Sequence, residues 1–503
     1  MGGCRVIRIA IGFVTLGLAL AWPPDAPGQN PPSAPGQTRI AAAQRILRHA
    51  ASEAASLQRP EERAILTSLA RSQARAGDVG AALASLAQVP SNLPDTQNTL
   101  FALQEIATAQ ARAGDVRGAM QTLALLPAGY PRQEALRAVT RAQAAASDVP
   151  GALRTAESAG SGPARDGMLA GVALVQAEAG DVVGALKIAA LLSDDRSRAA
   201  VLVRIGSAQA GAGDVAGGLQ TVSLVQSLQD QDPDVEATLA HLHALNKDFT
   251  KAVQIAKSLR SGRGTMVLAA VPALQAKAGD LQGALKTVDE IPDVRWHGTS
   301  WRALALHGVV AALADRGDLV RARLIAGSML DRSVQPLAVM VVARAQARSG
   351  DVAGALQTVA KIHDAETRST ATNAIALALA RRGNATAALQ VATTVTDADR
   401  RHRIVAAVAE AQAELGDLAG ARATAATIDA EGSRQGAAWR IAVAAAKGGD
   451  PNLVLSSVTA QSSSPHARVS QLLGVVEELL RNADRDRQGL PGFPGLDVLD
   501  LMR

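Results

Sequence analysis

The dipeptide Gly-Asp recurs at 77–78, 114–115, 180–181, 213–214, 279–280, 317–318, 350–351, 416–417 and 449–450. Degenerate copies, Ser147-Asp148, Lys247-Asp248 and Gly383-Asn384, fill the gaps. Successive copies are mostly 33 residues apart. The exceptions are steps of 37 at the start, 34 and 32 around Lys247, and 38 between Gly279 and Gly317. A fixed period of about 20–50 residues is the signature of a stacked repeat array. A chain of 503 residues also exceeds the ~100–200 residues of one ordinary domain, so it must be several domains or one array. The period decides for the array.

One unit shows the physics. Leu337, Val341, Val342 and Ala345 share a helical face, and Gly350 ends that helix. Glycine takes the left-handed position after a helix without steric cost. Asp351 follows as an N-cap, its carboxylate accepting a backbone N–H of the next turn. Val352, Ala355, Leu356, Val359 and Ile362 then keep the spacing of an amphipathic helix. Each unit is a first helix, a tight turn, a second helix and a short polar loop. No segment of any length has strand periodicity. The expected fold is all-α: an α-solenoid of about twelve tandem helix-turn-helix repeats.

Small residues recur at fixed phases. Five after the turn glycine stand Ala82, Ala119, Ala152, Ala185, Ala252, Ala284, Ala322, Ala355, Ala388 and Ala421. Three after the cap Asp stand Gly118, Gly151, Gly184, Gly217, Gly283, Gly354 and Gly420. Glycine inside a helix costs about 0.5–1 kcal/mol against alanine, so this phase needs a reason. Close approach of the two helices at their crossing is the expected one. Seven before the turn glycine, a small residue recurs in the first helix (Ala70, Ala107, Ala173, Gly206, Ala240, Ala376, Ala409, Ala442). Together these phases resemble tetratricopeptide (TPR) repeats over roughly residues 60–482. The chain departs from that family in lacking its first-helix Trp and Tyr and in its 33-residue period. Gln73, Gln110, Gln143, Gln176, Gln209, Gln275, Gln346 and Gln412 stand where the family often has Tyr. HEAT-like helical repeats are the alternative subclass. The glutamines, stacked at one phase, are expected to bond to one another or to backbone, since buried polar groups need partners; lining a ligand is the other reading.

The ends differ from the array. Arg5 and Arg8 precede the apolar run Ile9–Ala21, and Ala19-Leu20-Ala21 fits a small-x-small cleavage site, so residues 1–21 read as a signal peptide. The run is short of the ~20 residues that span a membrane, so no span is expected after cleavage. The chain's one cysteine, Cys4, lies in this segment, and the mature protein has no cysteine chemistry. Residues 22–37 are a Pro/Gly-rich linker. Residues 38–59 read as an N-terminal capping helix, with Arg45, Arg48, Glu53 and Gln58 facing water as a terminal repeat requires. The TPR-like solenoid is assigned to 60–483, with a final helix over 469–480. Residues 484–503 form a Pro/Gly-containing tail whose Leu490, Phe493, Leu496, Leu499 and Leu501 are apolar enough to dock on the solenoid or on a partner.

Composition narrows the function. Aromatics are 2% of the chain, so the core is Ala, Leu and Val. Net charge is +5, and without Arg5 and Arg8 it is +3; that weak bias, with no Lys/Arg run among aromatics, argues against nucleic acid. No Gly-x-Ser-x-Gly, Walker loop or His-Glu-x-x-His occurs. His241 and His243, two apart on a helix, point away from each other and make poor co-ligands. No catalytic residue, cofactor or metal is expected, and the chain reads as not an enzyme.

In TPR proteins the concave face is formed largely by the first helix. By that resemblance, the residues six before the turn glycine (Arg71, Arg141, His241, Arg344, Glu410) and ten before it (Arg137, His307, Trp439) face the groove. The family's Lys/Asn clamp for C-terminal carboxylates is not matched, although arginines still pair with carboxylates. The five extra residues between Gly279 and Gly317 enlarge the loop Ile291–Ser300, which carries Trp296, with Trp301 just after it. Such rings are enriched at binding hot spots; filling a gap in a lengthened repeat is the alternative for Trp301. The function expected is an exported scaffold, periplasmic or secreted, binding a peptide or protein in its groove. An accessory subunit of an envelope enzyme or polymer-processing complex is the alternative. The Arg- and Ala-rich composition points to a bacterium.

Overall fold

A computed structural model describes residues 34–57, 64–89, 96–227, 233–259, 262–292, 294–296, 298–461 and 464–487. The expected signal peptide, linker residues 22–33 and the tail from 488 lie outside the described residues.

Helix α1 is Ala34–Ala54, so residues 34–37 are helical rather than linker. Twelve pairs follow. They are α2 (Ile65–Arg75) with α3 (Val79–Ala87), α4 (Thr96–Arg112) with α5 (Val116–Ala124), and α6 (Tyr130–Ala145) with α7 (Val149–Glu157). Next are α8 (Pro163–Glu178) with α9 (Val182–Ala189), α10 (Asp195–Gly211) with α11 (Val215–Ser223), and α12 (Pro233–Leu245) with α13 (Phe249–Ser258). Then come α14 (Gly262–Ala278) with α15 (Leu281–Glu290), α16 (Trp301–Asp315) with α17 (Leu319–Ser328), and α18 (Gln335–Ser349) with α19 (Val352–Val359). The last are α20 (Ala365–Ala380) with α21 (Ala385–Thr393), α22 (Ala398–Glu414) with α23 (Leu418–Ala426), and α24 (Glu431–Lys447) with α25 (Asn452–Gln461). Helix α26 is Pro465–Arg487. The fold is an all-α repeat array. Its one departure is the enlarged loop, where β1 (Arg295–Trp296) and β2 (Thr299–Ser300) pair antiparallel, Arg295 with Ser300 and Trp296 with Thr299.

Each turn is built alike. All twelve turn residues have positive φ, from Gly77 at 84° to Gly449 at 102°, and Ser147 and Lys247 adopt the same conformation at 64° and 63°. In the first unit Gly77 N donates to Ala74 O (2.9 Å) and Asp78 N to Gln73 O (2.9 Å), closing the first helix. Asp78 Oδ1 then accepts from Ala81 N.

The glycine three after the cap Asp has a different cause from the one expected. A Cβ there would strike the capping carboxylate, and at Gly118 it would also lie 2.7 Å from Gln110 Nε2. Where glycine stands, as at Gly118, Gly184 and Gly354, the cap bond is 2.8 Å. Where Ala81, Lys251, Arg321 or Ala387 stands it stretches to 3.1–3.2 Å. Glycine therefore makes room for the Asp cap and the Gln amide. The close helix approach lies instead at the other two phases: all ten alanines five after the turn are fully buried. In the fifth pair both positions are glycine, and a Cβ on Gly218 would sit 2.5 Å from Gly206 O.

Six of the eight glutamines bond within their own units, while Oε1 of Gln73, Gln176 and Gln275 is buried without a partner. Gln346 Oε1 accepts from Thr358 Oγ1 (2.7 Å) and its Nε2 donates to Asp351 Oδ2 (3.2 Å). The same Thr–Gln bond recurs at Thr122–Gln110, Thr155–Gln143, Thr221–Gln209 and Thr424–Gln412. Where the glutamine is replaced, its partners change with it. The units with Leu313 and Leu379 carry Ile325 and Val391 in place of Thr, and Arg321 and Ala387 in place of Gly.

Consecutive first helices pack on one another along the array, whereas each second helix reaches the next unit through that unit's first helix. The first helices therefore form the inner layer of the curve. The curve closes. Helix α1 packs along α26, and both also touch α2. One buried cluster joins Ala42, Ala43, Ile46 and Leu47 to Leu472, Val476, Leu479 and Leu480. Arg468 binds Glu53 through both Nε (2.9 Å) and Nη2 (2.6 Å). Glu477 pairs with Arg75 and accepts from Ser72 Oγ (3.2 Å). Gln44 Nε2 donates to Ala76 O (2.8 Å), and Arg45 to Gly449 O.

These contacts fix direction. The early part of α1 lies by the turns at Ala76 and Gly449, and Glu53 lies by the start of α26, so the two helices are antiparallel. Helix α26 takes the place of a thirteenth first helix and α1 that of its second helix. The capping helix expected at 38–59 is thus no free end: Arg45 and Glu53 make contacts of the closure, although Arg45 and Arg48 both stay exposed, and Gln58 lies outside the described residues. Thirteen inner helices at about 9 Å per step make a circuit of about 120 Å. Subtracting a helix diameter of about 10 Å leaves an opening of about 30 Å, wide enough for a helix or an extended strand.

Candidate functional site

The first-helix phases that the sequence directed to a groove lie on the inner layer of this ring. Arg71, Arg137, Arg141, His241, His307, Arg344 and Glu410 are all half-buried. Arg71, Arg137, Arg141, His307, Arg344 and Glu410 lie against groups of a neighbouring first helix, so charge on the inner face is organised between units.

Three clusters result. Glu105 on α4 is surrounded by Arg75, Arg112 and Arg71, with Glu477 beyond; burial raises its pKa in spite of those cations. Between α6 and α10, Arg141 and Arg204 flank Glu178, and burial followed by repulsion from Arg141 lowers the Arg204 pKa. Between α22 and α24, Glu410 lies 3.5 Å from Arg440 and 3.9 Å from Lys447, and burial again raises the carboxyl's pKa. Lys447 reaches on to Glu478 of α26 at 2.9 Å, carrying this network across the closure.

Two of the arginines are seated by glycines that the sequence reading passed over. Gly167 and Gly171, four apart on α8, leave room for the side chains of α6. A Cβ at Gly167 would lie 3.3 Å from Arg137 Nη2, and one at Gly171 3.2 Å from Arg141 Nε. Arg137 also pairs with Glu134 on its own helix. From α2 to α10 the inner phases thus hold Arg71, Arg75, Arg112, Arg137, Arg141 and Arg204 against Glu105, Glu134 and Glu178. The base excess on this arc was not visible one helix at a time.

The opposite arc is more apolar. His307 on α16 is half-buried, with its Nε2 buried and without a partner. Burial, then the charge of Arg344 on α18, pushes its pKa down to about 4, so the ring is neutral at physiological pH. His241 is lowered by burial too. The buried Oδ1 of Asn373, at the phase of His307, likewise lacks a partner, as does Oε1 of Gln104 at the same phase on α4 of the basic arc.

Of the two tryptophans expected at the enlarged loop, Trp301 is buried. Trp301 is 8% exposed and opens α16 inside a cluster with Val288, Ile291 and Ala305; it fills the lengthened repeat and is corrected as a contact residue. Trp296 is placed only by its backbone pairing in β1. The ribbon is braced by Asp331, which accepts from Ser300 N (3.3 Å) and lies 3.6 Å from Arg295. Among the described residues no group of three or more His, Cys, Asp or Glu could hold a metal ion, and no helix is long and apolar enough to cross a membrane.

No family model and no curated protein matches the sequence. Solved structures give loose superpositions. The structure of Naa15/Naa10 bound to HypK-THB shares 12% identity over 92% of this chain and 83% of that one, with a TM-score of 0.32. The APC/C hetero-tetramer Cut9-Hcn1 shares 13% over 89% of each, with a TM-score of 0.25. A circular tandem repeat protein shares 14% over 90% and 97%, with a TM-score of 0.12. Superpositions this loose carry no functional inference. The helix pairs themselves, with their left-handed turns, capping Asp and paired small residues, make this chain an all-α array of helix-turn-helix repeats that resembles TPR repeats.

Proposed function

We propose that the protein is an exported, non-catalytic scaffold whose ring holds a segment of a protein partner on its inner face. One observation carries the reading: the arginine-rich arc from α2 to α10, whose Arg71, Arg75, Arg137, Arg141 and Arg204 are half-buried between neighbouring helices. Arginine forks pair bidentately with carboxylates, and partial burial strengthens such pairs relative to open surface. The partner segment is therefore extended and acidic. Repeat arrays offer such long continuous surfaces, and the step from fold to function is an analogy that the site must carry. Export is supported by Arg5, Arg8 and the apolar run after them; N-terminal sequencing of the protein from its own host should begin at Trp22.

The test of binding is a pull-down from the host's envelope extract with wild type and an Arg71→Glu/Arg141→Glu/Arg204→Glu variant. Partners retained by wild type, lost by the variant and released by moderate salt support the reading. Equal retention by both removes the inner arc as the binding surface.

A further inference from the structure

Two positions of the repeat are large and apolar in most units and change together in one place. Six after the turn residue stand Leu83, Leu153, Leu186, Leu219, Leu285, Leu356 and Leu389, and eleven before it stand Leu66, Leu103, Leu136, Leu169, Leu202 and Leu268. In α23 the first position is Arg422, and in α24, which packs on α23, the second is Ala438. Arg323 of α17 repeats the first change, but the helix after it keeps Val339 at the second. Arg422 and Ala438 line one hollow of about 270 Å³ between α23, α24 and α25, together with Ala425, Ile441, Leu453 and Ser457.

The hollow has largely apolar walls and one uncommitted charge. The other arginine on its lining, Arg434, donates to Ile428 O (3.1 Å) and lies 3.6 Å from Glu431. Arg422 is exposed, and no carboxylate among the described residues pairs with it. An apolar recess beside such a guanidinium suits a segment that intersperses leucines with carboxylates. The segment after α26 has that pattern in Leu496, Asp497, Leu499, Asp500 and Leu501.

Its length fits as well. Lys447 of α24 meets Glu478 of α26 at 2.9 Å. The nine residues of α26 beyond Glu478 carry the chain about 14 Å past that level, and Ala438 lies nine residues, about 14 Å, back from Lys447. With the sideways step to the neighbouring unit, the path from Arg487 to the hollow is about 30 Å, which the nine residues to Leu496 span when extended.

We propose that residues 496–501 of this chain fold back into the hollow, their leucines filling it and Asp497 or Asp500 pairing with Arg422. A tether this short gives an effective concentration of about millimolar, so a weak contact suffices. The lining includes neither Trp439 nor Val443, the inner-face phases of α24. The docked segment therefore leaves the inner face free, whatever that face binds.

Cross-linking in the full chain tests this, with Cys4→Ser in every variant to leave no other cysteine. On oxidation, Ser457→Cys/Val498→Cys should close an intramolecular disulfide about tenfold faster or more than Ala84→Cys/Val498→Cys. Ala84 is the control because it is exposed on α3, whose partner α2 touches α26 from the other side. Arg422→Asp should abolish the advantage, and adding Asp497→Arg/Asp500→Arg should restore it. Should Arg422→Asp fold poorly, Asp497→Asn/Asp500→Asn, which leaves the hollow unaltered, should abolish the advantage as well. Equal rates at Ser457 and Ala84 overturn the proposal. So does an advantage that survives removal of the charges, or a disulfide that forms only between chains, which would assign the hollow to a second copy.

Discussion

The Gln–Thr bond that recurs in five of the units makes a sharp energetic prediction. In the ninth pair Gln346 and Thr358 are 4% and 3% exposed, with their side chains 2.7 Å apart. Thr358→Val swaps a hydroxyl for a methyl of the same shape and leaves Gln346 Oε1 buried without a partner, which should cost about 1–3 kcal/mol. Gln346→Leu should cost about 1 kcal/mol, since the freed threonine hydroxyl can turn to the carbonyl one helical turn back. Together the two changes reproduce the Leu379/Val391 set of the next unit and should be nearly neutral, within about 1 kcal/mol, because both polar partners are gone. A double-mutant cycle should therefore give a coupling of about 1–2 kcal/mol. Stacked units do not unfold all at once, so the assay is native-state hydrogen exchange read at the α19 amides. Purely additive costs would refute the reasoning and show that the bond contributes nothing beyond shape. The fourth unit is a natural control: Gln176 faces Ile188 rather than threonine, and its Oε1 is indeed buried without a partner.

Two further outcomes follow from burial. His307 is held neutral, with a pKa of about 4 against 6.5 when unfolded. Its contribution to stability is complete above pH 6.5 and is lost as pH falls towards 4, because only the unfolded state takes the proton. Thermal unfolding between pH 7 and 5 should show less loss for His307→Gln than for wild type; identical slopes would place the pH dependence elsewhere. Ala355→Leu should lower stability by about 1–3 kcal/mol by overpacking the helix crossing, seen as a lower circular-dichroism midpoint; an unchanged midpoint would mean the crossing is looser than the fully buried Ala355 implies.

What the sequence disclosed was local and periodic. The left-handed Gly, the Asp cap and the buried Ala are set within a dozen residues, so they repeat visibly. The inner phases of Arg71, Arg141, His307 and Arg344 followed from the same register. Contacts without a period were missed. The closure joins Glu53 to Arg468, and nothing near either residue announces the other. Trp301 was weighed by residue type, and its burial depended on Val288 and Ile291 of the preceding helix and loop. The glycine after the cap was assigned to helix crossing because its clash, with Asp and Gln side chains of its own unit, is three-dimensional.

The closing pair, α1 with α26, has a topological consequence. Ala34 and Arg487 lie at the same end of an antiparallel pair, as many residues from the Glu53–Arg468 contact on one helix as on the other. The backbone is therefore interrupted where one more left-handed turn would stand. Any of the twelve existing turns is then an equivalent place to cut, and a chain circularly permuted through a joined 487–34 junction would trace the same ring with different termini. Which repeat counts as first is a property of the gene; the assembled circuit has no beginning.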